Sequence, residues 1–303
     1  MSVKKTRAAA ISIASNTALI VLKLIAGIIT GSVSLIAEAI HSLMDLVAAI
    51  VAFVSVRISD NPADKKHQFG HGKAENLSGV IEGILILVAA GIIVNEAIHK
   101  MIEGVSLEII EVGIVIMAVS IVVNIIVSRY LFKVSRKTDS LALEADATHL
   151  TTDVMTMAGV FIGLVVVRLT GLTILDPIIA IMVALLIVKA AVDIIRKSYG
   201  GLMDVSLPEA EQVLIESCIM EHNDRIVEFH RLRTRKAGSQ RQVDVHLVIP
   251  KVISVDEAHS LCDHLETDIE DLLHNTEVNI HVEPCTATCA ECVVTCELKN
   301  TEH

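Results

Sequence analysis

Six apolar runs, each long enough to cross a bilayer, fill the first two thirds of the sequence: roughly Ala8–Ile29, Val33–Ile58, Leu77–His99, Leu107–Phe132, Leu141–Leu169 and Thr173–Ile195. A helix needs about 20 predominantly apolar residues to span the hydrocarbon core, so the repetition predicts a membrane α-helical domain of six transmembrane helices. Composition agrees: 52% hydrophobic residues and a mean hydropathy of +0.62 over 303 residues are too apolar for a soluble domain. Met1–Arg7 leads straight into a run that is too long for a signal-peptide core and has no small-residue cleavage site, so the first helix is expected to stay in the mature protein.

Charge in the connections alternates. Lys4, Lys5 and Arg7, then Arg57, Lys65, Lys66 and Lys73, then Arg129, Lys133, Arg136 and Lys137, then Arg196 and Lys197 fall on one side. The opposite side holds Thr30-Gly31-Ser32, the Lys100–Glu108 turn and Arg168–Gly171. The positive-inside bias then places both termini in the cytosol.

After Gly200-Gly201 the texture becomes that of a soluble unit. Leu207–Glu221 and Ser254–Leu273 read as helices, and Arg225–Arg235, Gln242–Ile249 and Glu277–Glu283 as strands. In the middle strand Val243, Val245, Leu247 and Ile249 share one face and Asp244 and His246 the other. The order αββαβ predicts a small α+β open-faced sandwich of metallochaperone-like form, with helices over one face of a sheet. The expected organisation is a transmembrane domain over 1–203, a cytosolic domain over 204–284 and a Cys-rich tail over 285–303.

Several function classes drop out. The formal charge of −11, with the acidic excess largely beyond Asp204, argues against a nucleic-acid partner. Gly70 and Gly72 in FGHGK lack P-loop spacing, so uphill transport would draw on an ion gradient rather than ATP. Of six cysteines, Cys285, Cys289, Cys292 and Cys296 sit in the tail in a CxxxCxxCxxxC pattern and read as cytosolic thiols. They could hold Zn²⁺, Cu⁺ or an iron–sulfur cluster, or form a reducing tail without fixed structure.

Ionisable groups at mid-membrane carry the chemistry. The second run contains His41 and Asp45 in AEAIHSLMD, and the fifth His149 and Asp153 in ADATHLTTD. Each pair is four residues apart and shares a helical face. Counting helical rise from the helix ends puts both pairs roughly 12–18 Å deep, where they can meet. Two imidazoles and two carboxylates make a tetrahedral set suited to Zn²⁺, and the two Asp charges neutralise the dication. Either pair alone reads equally well as a His satisfied by its own Asp. Two matching pairs at matching depth favour the metal.

With these elements the sequence resembles the cation diffusion facilitator family of divalent metal/proton antiporters. HxxxD in the second and fifth helices is the pattern of its zinc-transporting members, and DKKHQFGHGKAEN matches a further family motif; the likeness runs over roughly residues 7–284. The resemblance implies an accessory metal site at Asp64, His67 and His71, and a charge pair at Lys73 and Asp204 that ties the helices to the cytosolic domain. It also implies a binuclear site at His230, His246, His259, His281 and Glu283, where the family more familiarly has Asp in place of Glu283. His222, His264 and His274 match no family position and read as surface residues. Buried polar residues such as Asn16, Lys23, Glu38, Glu82, Asn95, Asn124 and Asp176 are expected to line water or bridge helices.

The function so implied is proton-coupled export of Zn²⁺ from the cytosol, with zinc also a structural or regulatory ligand of a homodimer. The protein would sit in the lipid bilayer of a prokaryotic plasma membrane. Fe²⁺, Cd²⁺ or Mn²⁺ are competing substrates. An enzyme is not expected: an intramembrane metallohydrolase would need an open coordination position and a general base, and HExxH is absent. A metal sensor that transports nothing is a third reading.

Overall fold

The computed structural model describes residues 2–30, 33–103, 111–170, 172, 174–222 and 224–286. The chain divides into two compact units, Met1–Leu202 and Met203–His303.

The first unit is helical: α1 (Ser2–Thr30), α2 (Val33–Ser59), α3 (Lys73–Glu103), α4 (Glu111–Thr138), α5 (Leu141–Thr170) and α6 (Leu175–Leu202). Among the described residues, five of these helices are apolar enough to cross a membrane by length and composition alone. Those five are α1, α2, α3, α4 and α6; α5 is 30 residues long and carries Glu144, Asp146, His149 and Asp153 in its N-terminal part, ahead of an apolar C-terminal half in the sequence. Those groups are tolerable because they turn inward: Asp146 is fully buried and His149 nearly so. The outward faces are the reverse, with Ile28, Ile29, Ile84, Val88, Leu185 and Leu186 exposed as a lipid-facing surface requires.

Packing inside the helical unit has two centres. Ala8 and Ala9 of α1, Val56 of α2, Val127 and Leu131 of α4, and Leu143, Ala147 and Leu150 of α5 form one; Ile86 and Ala90 of α3 with Ile187 and Ala191 of α6 form the other. Lipid gives helices little hydrophobic reason to associate, so close approach through small residues must supply the contact. A Cβ at Gly83 would lie 2.4 Å from Cγ1 of Ile195 and 3.3 Å from the Ala191 carbonyl, and one at Gly79 only 2.2 Å from Oγ of Ser198. Gly83→Val should therefore push α3 off α6 at a cost of about 1–3 kcal/mol. Thermal denaturation in detergent checks this, and an unchanged midpoint would show that the approach does not hold the pair together.

One end of the unit is fastened by Glu75, in the first turn of α3 and completely buried. Its Oε1 sits 3.0 Å from Nζ of Lys5 on α1 and accepts from the Ser59 hydroxyl of α2 at 2.9 Å. Oε2 accepts from the Ser140 hydroxyl at 2.7 Å, at the start of α5, and Lys5 lies 3.7 Å from Asp60. Sequence reading places Lys5 among the flanking cations; burial also makes it a partner of Glu75.

The second unit contains α7 (Glu209–Glu221), β1 (Glu228–Ala237), β2 (Gln240–Ile249), α8 (Val255–Leu272) and β3 (Thr276–Pro284). Strand β2 is central, antiparallel to β1 and parallel to β3. The β1–β2 hairpin turns at Gly238, whose φ of 61° suits glycine. Val243, Val245, Leu247 and Ile249 bury against Ile215 and Ile219 of α7 and Leu261, Leu265 and Ile269 of α8. A capping box starts α8: the Ser254 hydroxyl accepts from the Glu257 amide at 3.2 Å, and the Glu257 carboxylate accepts from the Ser254 amide at 3.1 Å. A register shift between His230 and Arg233, with Arg231 at φ 52°, marks a bulge in β1. The fold is thus a six-helix membrane domain followed by a small α+β domain.

Candidate metal centres

Helices α2 and α5 bring Asp45, His149 and Asp153 together. Their potential ligand atoms all lie within 4.8 Å of one another, and Nε2 of His149 is 3.2 Å from Oδ1 of Asp45. His149 and Asp153 stand one turn apart on α5, so one helical face presents both. The Thr152 hydroxyl bonds the His149 carbonyl at 2.7 Å, and Asn16 of α1 donates to the Asp45 carbonyl at 3.3 Å. His41 occupies α2 one turn before Asp45, but its side chain lies outside the described residues, as do those of Glu38 and Asp176.

Two further carboxyls sit nearby and are fully buried, Asp146 on α5 and Glu82 on α3. Glu82 accepts from the Ser78 hydroxyl at 3.0 Å. Sequence reading singles out Glu82 and misses Asp146, for which the available signal is its place three residues before His149. Lys23 of α1 donates to the Ser42 hydroxyl at 2.7 Å and so bridges α1 and α2.

In the connection between α2 and α3, Asp64, His67 and His71 form a second group. Oδ1 of Asp64 accepts from the amides of His67 at 2.7 Å and Lys66 at 2.8 Å, which shapes the loop around the carboxylate. The same two bonds, His67 first, hold its pKa below the ordinary carboxylate value. Nδ1 of His67 is 3.3 Å from Oδ1, and Nε2 of His71 is 3.4 Å from Oδ2. Gly70, at φ 78°, permits the turn that returns His71 to the group. Lys73, at the start of α3, lies 3.4 Å from the Leu202 carbonyl at the end of α6. Asp204 lies 3.5 Å from Arg235 within the second unit.

On the sheet face away from the helices, His230, His246 and His281 are lateral partners across β1, β2 and β3. Their rings follow one another at centroid separations of 5.3 and 4.6 Å. Glu283 gathers them: Oε1 is 2.7 Å from Nδ1 of His246 and 3.8 Å from Nε2 of His281, and Oε2 is 3.6 Å from Nε2 of His230. The hydrogen bond from His246 chiefly, then the other imidazoles, lowers the Glu283 pKa. Its glutamate arm is long enough to reach the imidazoles of all three strands. His259 is not brought to this cluster: it sits on α8, 74% exposed, with Nδ1 3.4 Å from Asp263 of the same helix.

Two histidines read as plain surface residues, His222 and His264, come together at Asp268 between α7 and α8, with His264 exposed as expected. Of the tail cysteines, Cys285 is a buried free thiol at the end of β3, and Cys289, Cys292 and Cys296 lie outside the described residues.

The sequence matches the model of the cation efflux transmembrane domain over residues 9–203 and that of the cation efflux protein cytoplasmic domain over residues 207–285. It is 37% identical over 276 residues to an uncharacterized transporter of Synechocystis sp., covering 91% of this chain and 89% of that protein. It is 32% identical over 281 residues to the cation-efflux pump FieF of Salmonella newport, covering 92% and 93% respectively. Among solved structures, CzrB is 38% identical over 26% of this chain and 98% of its own, with a TM-score of 0.26. The metal-bound C-terminal domain of the CzcD transporter from Thermotoga maritima is 22% identical over 27% of this chain and 99% of its own, with a TM-score of 0.25.

Proposed function

The chain belongs to the cation efflux family, in both its transmembrane and its cytoplasmic part, and we propose that it exports Zn²⁺ from the cytosol in exchange for protons. It is a cation-efflux transporter, and the finer reading rests on one observation: Asp45 of α2 converges with His149 and Asp153 of α5 inside the membrane domain. His41 completes the set as its fourth ligand. Two carboxylates cancel the charge of a dication where net charge is costly, and two imidazoles favour a borderline ion in tetrahedral geometry. Such ligands bind metal only when deprotonated, so protons arriving from the far side displace it.

The groups at Asp64, His67 and His71, and at His230, His246, His281 and Glu283, are the proposed accessory and regulatory metal sites. His259 is assigned to the latter through the resemblance alone. Both termini face the cytosol of a prokaryotic plasma membrane, and the cytoplasmic domains pair into a homodimer.

Proteoliposomes with an imposed pH gradient and an enclosed metal-sensitive dye test the reading. Zn²⁺ uptake should collapse when the gradient is dissipated, and flux indifferent to the gradient would remove the proton coupling. The competing substrates Fe²⁺, Cd²⁺ and Mn²⁺ enter the same assay. His41→Asp replaces a nitrogen donor with a harder oxygen and adds negative charge, so it should keep transport and raise the Cd²⁺-to-Zn²⁺ flux ratio. An unchanged ratio with persisting flux would show that His41 does not set selectivity.

A further inference from the structure

We propose that His222, His264 and Asp268 form an additional metal site, on the helical layer of the C-terminal domain, that takes a divalent ion of the Zn²⁺ type and leaves a coordination position to water. The three come from two helices. His222 is the C-cap residue of α7, whereas His264 and Asp268 stand one turn apart on α8 and share a face. Their potential ligand atoms all lie within 4.8 Å of one another.

Hydrogen bonding selects the right form of His222. Its Nδ1 is 3.1 Å from the carbonyl oxygen of Cys218, one turn earlier. A carbonyl can only accept, so Nδ1 carries the hydrogen and Nε2 is left with a lone pair when the ring is neutral. That Nε2 lies 3.5 Å from Oδ2 of Asp268. An imidazole anchored through one nitrogen to a backbone carbonyl, with the other nitrogen turned to a neighbouring donor, is the arrangement of a metal-binding histidine.

The distances point the same way. Nε2 of His264 is 3.7 Å from the same Oδ2, so two imidazole nitrogens converge on one carboxylate oxygen. Separations of 3.5 and 3.7 Å are long for hydrogen bonds. They are close to the edge of a tetrahedron built on metal–ligand bonds of about 2.0–2.2 Å, which is roughly 3.4 Å. The strand cluster differs, since His246 and Glu283 already meet in a direct contact of 2.7 Å. Without an ion the helix-layer group is two partly exposed imidazoles beside one carboxylate. In that reading His264 can donate an Nε2 hydrogen to the carboxylate, but a neutral His222, whose Nδ1 already holds its hydrogen, turns a lone pair toward the same oxygen, the ring centroids being 5.2 Å apart.

Access and rigidity also suit a small cation. The His222 side chain is 16% exposed, Asp268 36% and His264 61%, so one flank is packed and the other is open to water. An ion there would tie the end of α7 to the middle of α8. The site lies on the opposite side of the sheet from the strand histidines, and nothing in the transport reading calls on it.

The test is metal stoichiometry of the full-length protein in detergent, equilibrated at free Zn²⁺ just sufficient to saturate the parent and analysed for metal per chain. His222→Gln and His264→Gln should each lose one equivalent, and the double variant should lose no more than either single, because both residues serve the same ion. His274→Gln, which alters an exposed histidine outside the cluster, should lose none. Unchanged stoichiometry in the double variant overturns the site, as does an equal loss in His274→Gln, which would mark adventitious surface binding. Circular dichroism and elution volume matching the parent establish that the variants are folded. Because the readout is bound metal rather than flux, its failure leaves the transport reading standing, and loss of transport in the parent would leave this site untouched.

Discussion

Asp153→Ala is expected to reduce Zn²⁺ flux into proteoliposomes to less than about a tenth of the parent value while the protein still elutes as a folded species. Asp153 supplies one of the two carboxylates that face His149 inside the helical unit. Removing it takes away a ligand and leaves the dication with an uncancelled charge at membrane depth, a penalty of about 2.5–3.5 kcal/mol on insertion scales. That corresponds to roughly a hundredfold in equilibrium. Asp153→Asn keeps the shape and an oxygen donor but not the charge, so it should fall between alanine and the parent. Flux in Asp153→Ala above about a tenth of the parent would remove Asp153 from the transport site.

The second large effect concerns stability. Glu75→Ala should cost about 3–5 kcal/mol, because it takes from the buried ammonium of Lys5 its 3.0 Å carboxylate partner and from the Ser140 hydroxyl its 2.7 Å acceptor. Loss of this size lowers an apparent denaturation midpoint by roughly 10 °C. Lys5→Met combined with Glu75→Gln should recover most of the loss, since both charges go, the amide oxygen still receives one hydroxyl and the amide NH2 can donate to the oxygen of the other. Thermal scans of the single and double variants in one detergent compare them. Equal destabilisation in both would assign the effect to packing rather than to the ion pair.

The membrane helices were legible because apolar length is a one-dimensional signal that needs no partner. Even α5, with its charged first half, could be read from its apolar second half and from HxxxD in its first. Spacing also predicted that Asp45, His149 and Asp153 could meet, because helical rise converts sequence position into depth. The same spacing misleads when it stands alone. His259 and Asp263 repeat it on α8 and make only an exposed pair, whereas His264 and Asp268 repeat it five residues later and gain His222 from another helix. Which helix face meets which neighbour is a packing outcome, and no period in the sequence contains it. Glu75 was missed for a related reason: its partners come from residues 5, 59 and 140, and only the assembled bundle makes one acceptor serve all three.

The lateral alignment of His230, His246 and His281 bears on how the small domain finds its own structure. Side chains alternate strictly along a strand, so a slip of β2 by one residue would carry His246 under the helices and turn Val245 or Leu247 outward. The rung of imidazoles, and the reach of Glu283 to all of them, therefore exists in a single pairing of the three strands. Under the proposed assignment, a cation held on that face binds the correctly threaded sheet and ignores its near-misses. The transported ion would then act as a proofreader of folding, adding its binding free energy to the one arrangement that can later respond to it.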